Sequence, residues 1–233
     1  MAREAREAAV RRKKRMRTAR NVGIIAVLFV GTIVIFNIVS GGSSKKSSST
    51  TTTTVAPTTT TLPKLTAFTP DPKKSYTATI KTAEGTIVVA LDTKNAPKAA
   101  GRFIELANKK FYNGLTFHRA VPDYMIQGGD PKGDGTGTSG YQPVVGETPK
   151  NHYPVGVLAA AKTPSDPPGT FDCQFFVVTG SQGSALSNDY ASFGNVTSGL
   201  DVAQSISKQK TGGPNGDALE PPVKIDSITI TES

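Results

Sequence analysis

The sequence has no tryptophan, one cysteine and two histidines among its 233 residues. A single cysteine, Cys173, excludes an intramolecular disulfide, and His118 and His152 alone do not make the ligand set of a zinc site. Cys173 is also the only thiol that could act as a nucleophile, but it precedes the apolar run 174–178, where a lone cysteine is typically a small buried side chain. We therefore expect no metal, no cofactor and no covalent catalysis.

The positive charge of the chain is concentrated at its amino terminus. Residues 1–20 contain nine Lys and Arg against two Glu, a net charge of +7 out of a formal +9 for the whole chain. Residues 22–39 follow without any charged residue, and Thr32 and Asn37 are their polar interruptions. At 1.5 Å per residue this run spans about 27 Å, close to the thickness of a hydrocarbon core. The pattern predicts a basic cytoplasmic tail (1–20), a transmembrane signal anchor (21–39) and translocation of the remainder.

Two other interpretations of this region are less favoured. A cleaved signal peptide usually has a shorter apolar region ending in small residues of the A-x-A type, which Val39-Ser40-Gly41 matches poorly. A nucleic-acid-binding patch is disfavoured because the basic residues directly precede the predicted bilayer segment. We expect an uncleaved anchor and no nucleic-acid partner.

Residues 40–72 are predicted to form a disordered Ser/Thr/Pro-rich tether. Their first part consists of Ser, Gly, Lys and two threonine runs, so almost nothing in it could be buried to offset the entropy of ordering the chain. A flexible segment of this length holds the next domain on the order of 30 Å from the bilayer. We expect the folded domain to occupy residues 73–233.

Alternating apolar residues predict a mainly β domain. Residues 76–91 predict a hairpin, and 97 onward predict a helix with Asn95 as cap and Pro97 in its first turn. Five further short strands are predicted at 115–120, 124–128, 155–160, 175–179 and 192–196. A second helix is predicted at 199–208, and a last strand at 223–231 with a bulge near Asp226. Eight short strands with glycine-rich turns and two helices predict a closed antiparallel barrel.

The run 135–140 satisfies the pattern G-x-G-x-x-G but does not predict a dinucleotide site. That fingerprint needs a strand directly before it and a helix after it, whereas Tyr141-Gln142-Pro143 follows here. We interpret the run as a glycine-rich loop.

The stretch 117–130 has the composition of a ligand pocket. It places one permanent cation, Arg119, near Tyr124, Met125 and Gln127. Without a nucleophile or a metal, such a site suits a reaction that breaks no covalent bond. Prolyl isomerisation is of this kind, because the amide needs only to be twisted against a barrier of about 18–20 kcal/mol. A fixed guanidinium that favours the twisted amide would lower that barrier.

Structural roles are predicted for the neighbouring apolar and imidazole side chains. Leu158 and Phe175 are expected in the barrel core, and Phe176, one position later, on the opposite face. His118 lies within a predicted strand and is expected to be a hydrogen-bonded structural residue.

The chain resembles the cyclophilins, a family of peptidyl-prolyl cis-trans isomerases, over residues 76–232. The resemblance rests on five motifs: Phe117-His118-Arg119, Met125-Ile126-Gln127-Gly128-Gly129-Asp130, Gly135-Thr136-Gly137, Gln174-Phe175-Phe176 and Phe193-Gly194. It implies an eight-stranded barrel capped by two helices, and it implies that Arg119 is the catalytic residue.

The resemblance also implies a substrate-binding set around Arg119. Tyr124, Met125, Phe176 and Leu186 resemble the proline pocket, with Tyr190 at its rim. Gln127 and Gln174 resemble the groups that bind the substrate backbone and position Arg119, with Gly135 in the adjoining loop. Ala161, Lys162 and Thr163 resemble the segment that pairs with the substrate strand.

The sequence departs from well-known cyclophilins at several of these positions. Ala185 stands where many eukaryotic members have tryptophan, Tyr190 where they have histidine, Tyr124 where phenylalanine is usual and Lys162 where asparagine is typical. The segment 164–172 is longer than its counterpart in those cyclophilins. Since a missing tryptophan removes a large contact surface and an indole donor, we expect weak cyclosporin binding.

These features predict a membrane-anchored bacterial isomerase that assists the folding of exported or envelope proteins. Its partners are expected to be proline-containing polypeptides, its catalytic domain monomeric, and its location the cell membrane with the domain outside the cytoplasm. The alternative is a membrane-tethered proline-peptide binding module or holdase chaperone with little catalysis.

Overall fold

The folded region opens with the hairpin that the alternation predicts. β1 (Tyr76–Thr82) pairs antiparallel with β2 (Gly85–Leu91), and the Thr82–Gly85 pair closes the turn. Apart from Thr82 and Gly85 at the turn, the inward positions of both strands are apolar and buried, as Ile80 and Ile87 show. The period-two pattern therefore sets which face of the hairpin is buried.

The structure is a computed structural model that describes residues 62–66 and 68–233. The predicted basic tail (1–20), the predicted anchor (21–39) and residues 40–61 of the predicted tether lie outside these ranges. Within the described ranges, no helix is both long and apolar enough to cross a membrane.

Eight strands of the described region close into an antiparallel barrel, which confirms the predicted fold class. The remaining strands, in chain order, are β3 (Thr116–Val121), β4 (Met125–Asp130), β5 (Val144–Val145), β6 (Val157–Ala160), β7 (Thr170–Phe171), β8 (Phe175–Val178), β9 (Ser192–Ser198), β10 (Thr211–Gly212) and β11 (Ala218–Glu232). The order around the barrel is β1-β2-β9-β6-β8-β4-β3-β11, and pairing of β11 with β1 closes the ring. β10 pairs with β11 beside the ring, and β5 pairs with β7 in a separate small sheet.

Register irregularities occur where the sequence changes phase. Lys81 is paired with Ser227 but Thr82 with Ile225, so Asp226 is the extra residue of a bulge in β11, as predicted. The two-residue strands β5, β7 and β10 are missed by the sequence, because two residues show no alternation.

Two helices accompany the barrel, as predicted. α1 (Pro97–Asn108) contributes Phe103 to the core, where its ring centroid lies 5.4 Å from that of Phe175 and 5.3 Å from that of Phe193. α2 (Leu200–Ser207) begins after Gly199, whose φ of 78° suits a residue without a Cβ. Leu158 and Phe175 are fully buried in the same core, as predicted.

The amino-terminal cap of α1 differs from the prediction. The cap residue is Ala96, and the Asn95 side chain instead donates to the Asp92 carboxylate. The carboxylate of Glu147 accepts the first free backbone N–H groups of the helix, from Lys98 and Ala99, both at 3.2 Å. A distant acid therefore replaces the local cap, which the local sequence pattern cannot reveal.

The packed region begins earlier than the predicted boundary at residue 73. The Pro63 carbonyl accepts the N–H of Gln142 at 3.0 Å, and Leu65 and Phe68 pack against the core. The Phe68 ring meets Tyr76 edge to face at 5.8 Å. The Phe68 carbonyl oxygen lies 2.3 Å from the position that a Cβ on Gly101 would take, so this strap (residues 63–66 and 68–72) passes α1 at its glycine.

Candidate active site

A bulge in β3 turns Arg119 to the outside of the barrel. Phe117 pairs with Gly128 and Arg119 with Gln127, which are adjacent on β4, so His118 is the extra residue. Phe117 and Ala120 both lie in the core, although three positions apart they would occupy opposite faces of a regular strand. The bulge lets both pack inward and leaves Arg119 on the outer face, half-buried.

Alternation on β4 and β8 places three predicted site residues on that same outer face. Ile126 and Phe175 belong to the core cluster, and their neighbours Met125, Gln127 and Phe176 alternate away from it. Phe176 is 3% exposed on the face opposite Phe175, as predicted. The outer faces of β3, β4 and β8 thus form one continuous surface.

A chain of side-chain hydrogen bonds connects Arg119 to the glycine-rich loop. Arg119 Nη1 donates to Gln127 Oε1 at 3.1 Å, and Gln127 Nε2 donates to Gln174 Oε1 at 2.9 Å. Gln174 Nε2 donates to the carbonyls of Gly135 and Gly137 at 3.0 and 3.1 Å. Because carbonyl oxygens only accept, the orientations of both amides follow, and an acceptor faces Arg119.

The glycine-rich loop is folded around the carboxylate of Asp130, which is 1% exposed. Asp130 accepts the backbone N–H groups of Lys132 at 2.9 Å and Asp134 at 3.0 Å, and also that of Gly135. A Cβ on Gly137 would collide with the same carboxylate. The loop therefore serves as a rigid acceptor for Gln174, and no helix follows it for a phosphate to cap.

Asp217 is a site residue that sequence reasoning missed. Its Oδ2 accepts the Arg119 Nε–H at 2.6 Å, although the two residues are 98 positions apart in the chain. No local pattern joins them, and only the pairing of β3 with β11 brings them together.

Three aromatic rings form the apolar wall. The Phe176 and Tyr190 ring centroids lie 5.6 Å apart at an interplanar angle of 88°, and Tyr153 lies 6.3 Å from each. Tyr153, another residue that the sequence did not single out, donates its hydroxyl to the Tyr190 carbonyl at 2.8 Å and accepts the Tyr190 N–H at 3.0 Å. Lys162 Nζ lies 5.5 Å from the centroid of the Tyr190 ring.

Tyr124 is buried and feels the charge of both Arg119 and Tyr190. Burial raises the pKa of its phenol to about 12, with Tyr190 adding to the shift and Arg119 opposing it. Its carbonyl accepts the N–H of Thr179 at 2.9 Å, at the end of β8. Tyr124 is therefore a buried, neutral phenol whose main chain is held at the end of β8.

The predicted substrate-pairing segment lies beside Gln174. The Ala161 N–H donates to the Gln174 carbonyl at 2.8 Å. The Thr163 hydroxyl donates to Asp166 at 2.8 Å, and Lys162 Nζ donates to the carbonyls of both Thr163 and Asp166 at 3.1 Å. Leu186 follows a short 3-10 helix (Ser181–Ala185) and is half-buried. The substrate-binding roles of these residues stay predictions.

The expectation for His118 is wrong in one respect. The ring is buried, but within the described residues neither nitrogen has a hydrogen-bond partner of good geometry. Burial is the main cause that lowers the pKa of His118, and the charge of Arg119 lowers this pKa further. The charge of Asp130 and the backbone of Thr116 raise the pKa and offset part of the shift.

Cys173 is fully buried, and burial raises the pKa of its thiol. A thiol held in its protonated form is a poor nucleophile. In the described ranges, no group of three or more His, Cys, Asp or Glu side chains could hold a metal ion.

The family model described as "Cyclophilin type peptidyl-prolyl cis-trans isomerase/CLD" matches residues 77–230, more than half of the chain. The chain belongs to the cyclophilin family. This cyclophilin is 34% identical over 180 residues to peptidyl-prolyl cis-trans isomerase A of Mycobacterium tuberculosis, a match that covers 70% of this chain and 96% of that protein. It is 40% identical over 127 residues to isomerase B of Bacillus subtilis, covering 54% and 80% of the two chains.

Solved structures agree with the fold of this cyclophilin. A cyclophilin-type isomerase of Cryptosporidium parvum superposes with a TM-score of 0.60 at 25% identity, covering 67% of this chain and 98% of that one. A second structure of that protein, in the presence of the dipeptide Ala-Pro, has a TM-score of 0.59. Family and relatives therefore identify the activity as peptidyl-prolyl cis-trans isomerisation.

Proposed function

We propose that Arg119 carries the isomerisation, by stabilising the twisted prolyl amide of a bound peptide. The observation that supports this most directly is the fixed guanidinium at the edge of an apolar wall, with two of its nitrogens already bonded to acceptors. Arginine keeps its charge on partial burial, so the field it exerts on a bound amide does not depend on pH in the neutral range.

The reaction needs no other chemical group. Twisting the amide removes conjugation, so the prolyl nitrogen gains a lone pair and becomes a hydrogen-bond acceptor. A donor that is already oriented stabilises this state without reorganising during the reaction. The buried thiol of Cys173 is unsuited to covalent catalysis, which leaves a non-covalent route.

The substrate is a proline-containing polypeptide. The solved relative in the presence of Ala-Pro supports this class of ligand. In this chain the apolar wall of Phe176 and Tyr190 suits a pyrrolidine ring, and Met125 lies on the same outer face. Lys162 directly follows Ala161, whose N–H donates to the Gln174 carbonyl, so its main chain lies beside the outer face and can pair with an extended peptide.

The cellular role follows from the amino-terminal sequence. A basic cluster before a charge-free run supports a cell-membrane anchor with a cytoplasmic amino terminus, and the Ser/Thr/Pro-rich tether supports a domain held outside the cytoplasm. Within this proposal the protein assists the folding of exported or envelope polypeptides in a bacterial cell.

The catalytic proposal is tested with a proline-containing peptide whose cis and trans forms are distinguished. Replacing Arg119 with Ala should lower kcat/KM by about 100-fold, the order expected for loss of one oriented transition-state donor. Lys224→Ala, which removes an exposed cation from β11, is the matched control and should keep the full rate. An unchanged rate in Arg119→Ala would exclude the mechanism, and peptide affinity without rate enhancement in the natural protein would indicate the binding-module alternative.

The location is tested separately, in intact cells. Protease added outside the cytoplasmic membrane should digest the domain, while a cytoplasmic marker stays protected. A variant that lacks residues 1–40 should keep its isomerase activity, since the site lies within the barrel. Protection of the domain would contradict the proposed topology and leave the catalytic proposal intact.

A further inference from the structure

The Arg119–Asp217 ion pair lies inside the site, not on a solvated surface. Arg119 Nε and Asp217 Oδ2 are 2.6 Å apart, and the two side chains are 14% and 13% exposed. A charge-assisted bond of this length and burial is stronger and more directional than an exposed ion pair.

The backbone of Asp217 is attached to the same stretch of β3. Its carbonyl accepts the N–H of Ala120 at 2.9 Å, and the next residue, Ala218, is paired with Arg119 in the strand register. One residue therefore holds two consecutive positions of β3, by its main chain and by its side chain. The carboxylate has little freedom to follow Arg119 if the guanidinium moves.

The turn before Asp217 is braced as well. The Gly216 N–H donates to the Gly213 carbonyl at 3.1 Å, and the Thr211 hydroxyl donates to the Gly216 carbonyl at 2.8 Å. Both glycines have a φ of 74°, which other residues rarely adopt. The hydrogen bonds within this turn restrict the position of the Asp217 carboxylate beside Arg119.

Arg119 is thus bonded at two nitrogens by acceptors from two separate parts of the chain, the residue directly before β11 and strand β4. Nε faces Asp217 on β11's side, and Nη1 faces Gln127 on β4. A planar guanidinium with two such partners cannot rotate without breaking one of them. We propose that Asp217 is a positioning residue that fixes the plane and direction of the Arg119 guanidinium for prolyl isomerisation, an inference that rests on the proposed role of Arg119.

This role predicts a particular kinetic signature. Without the carboxylate, Arg119 keeps its bond to Gln127 but loses the charged acceptor at Nε. The donor must then be reoriented during the reaction, so the transition state is affected more than peptide binding. We expect kcat to fall while KM changes little.

The test uses Asp217→Ala and Asp217→Asn in the full chain, with the peptide isomerisation assay. Both should lower kcat/KM by about tenfold, mostly in kcat, and Asp217→Glu should recover part of the loss. Glu220→Gln, which removes an exposed acid from the same hairpin, is the matched control and should keep the full rate. Thermal melting of each variant shows which of them are folded, and Asp217→Asn serves if the alanine variant is not.

A double-mutant cycle separates positioning from a general structural effect. In an Arg119→Ala background, assayed at raised enzyme concentration, Asp217→Ala should cause no further loss. Equal losses in both backgrounds would overturn the inference, as would full activity of the folded Asp217 variants beside an inactive Arg119→Ala. Full activity of Arg119→Ala would instead overturn the proposed catalytic mechanism itself.

Discussion

Gln127 and Gln174 are bonded amide to amide across β4 and the start of β8, at 2.9 Å from Nε2 to Oε1. This bond makes the orientation of the Gln127 amide depend on that of Gln174. The carbonyls of Gly135 and Gly137 can only accept, so Gln174 turns its nitrogen toward them and its oxygen toward Gln127. Gln127 must then present its own oxygen to Arg119. The orientation of the amide groups beside Arg119 is therefore set by the glycine-rich loop, which is linked to Arg119 only through the two glutamines in this chain of bonds.

Replacing Gln174 with Glu should break this chain at its origin. A carboxylate oxygen would face the carbonyl oxygens of Gly135 and Gly137, with no proton to share between them. We expect the free energy of unfolding to fall by about 1–2 kcal/mol and kcat/KM by about tenfold. Denaturant unfolding and the isomerase assay measure the two effects. Gln142→Glu, at an exposed position, controls for added charge, and an unchanged rate in Gln174→Glu would contradict the directional role.

Tyr153→Phe should weaken the aromatic wall. The lost hydroxyl is both donor and acceptor for the buried backbone of Tyr190, so its N–H and carbonyl would each lose this hydrogen bond. We expect a loss of about 1–3 kcal/mol in the free energy of unfolding and a higher KM for proline peptides. Tyr141→Phe removes a hydroxyl from a half-buried ring and should cost less than about 0.5 kcal/mol. Equal stability of the two variants would contradict a stabilising role of the Tyr153 hydroxyl.

His118 should make the domain less stable in mild acid. Because burial lowers its pKa in the folded state below the ordinary 6.5, the unfolded chain binds the proton first as pH falls. This contribution to stability is present above about pH 6.5 and is lost progressively below it. Melting temperatures between about pH 7.5 and pH 5.5 should show a decline that His118→Gln reduces. His152→Gln, at an exposed histidine, should keep the decline; the same slope in both variants would contradict the prediction.

Glu147→Ala should destabilise α1 without affecting catalysis. The carboxylate satisfies the N–H groups of Lys98 and Ala99 at the positive end of the helix. Its removal should cost about 1 kcal/mol of unfolding free energy, with Glu147→Gln intermediate because one acceptor oxygen remains. Glu84→Ala, in an exposed turn, is the comparison. A stability equal to that of Glu84→Ala would show that water replaces the cap.

Local periodicity was enough to predict the barrel strands, both helices and the opposite faces of Phe175 and Phe176. These features depend on neighbours within a few residues, and burial follows the pattern. The strands β5, β7 and β10 could not be predicted, because two residues are too few to show a periodic pattern. Asn95 was a reasonable cap by residue type, but the contact that decides the cap comes from Glu147, 49 positions away from Lys98.

The sequence predicted only part of the candidate site. Motifs brought Arg119 and its neighbours to attention, and the structure joins Arg119, Gln127, Gln174 and Gly135 through hydrogen bonds. Asp217 could not be found this way, because its contact with Arg119 depends on closure of the barrel. The bulge at His118 was not predicted either, because a bulge is a property of two paired strands and one strand's sequence does not record it.

Gly101 offers a marker for other members of the family. The carbonyl of Phe68 occupies the space that a Cβ at this helix position would need, and backbone atoms cannot rotate away as a flexible side chain can. A relative with alanine or any larger residue at the equivalent position must therefore guide its leading segment along a different route. The residue at this position of α1 therefore predicts whether the segment that precedes β1 in a relative can pack against the helix as it does here.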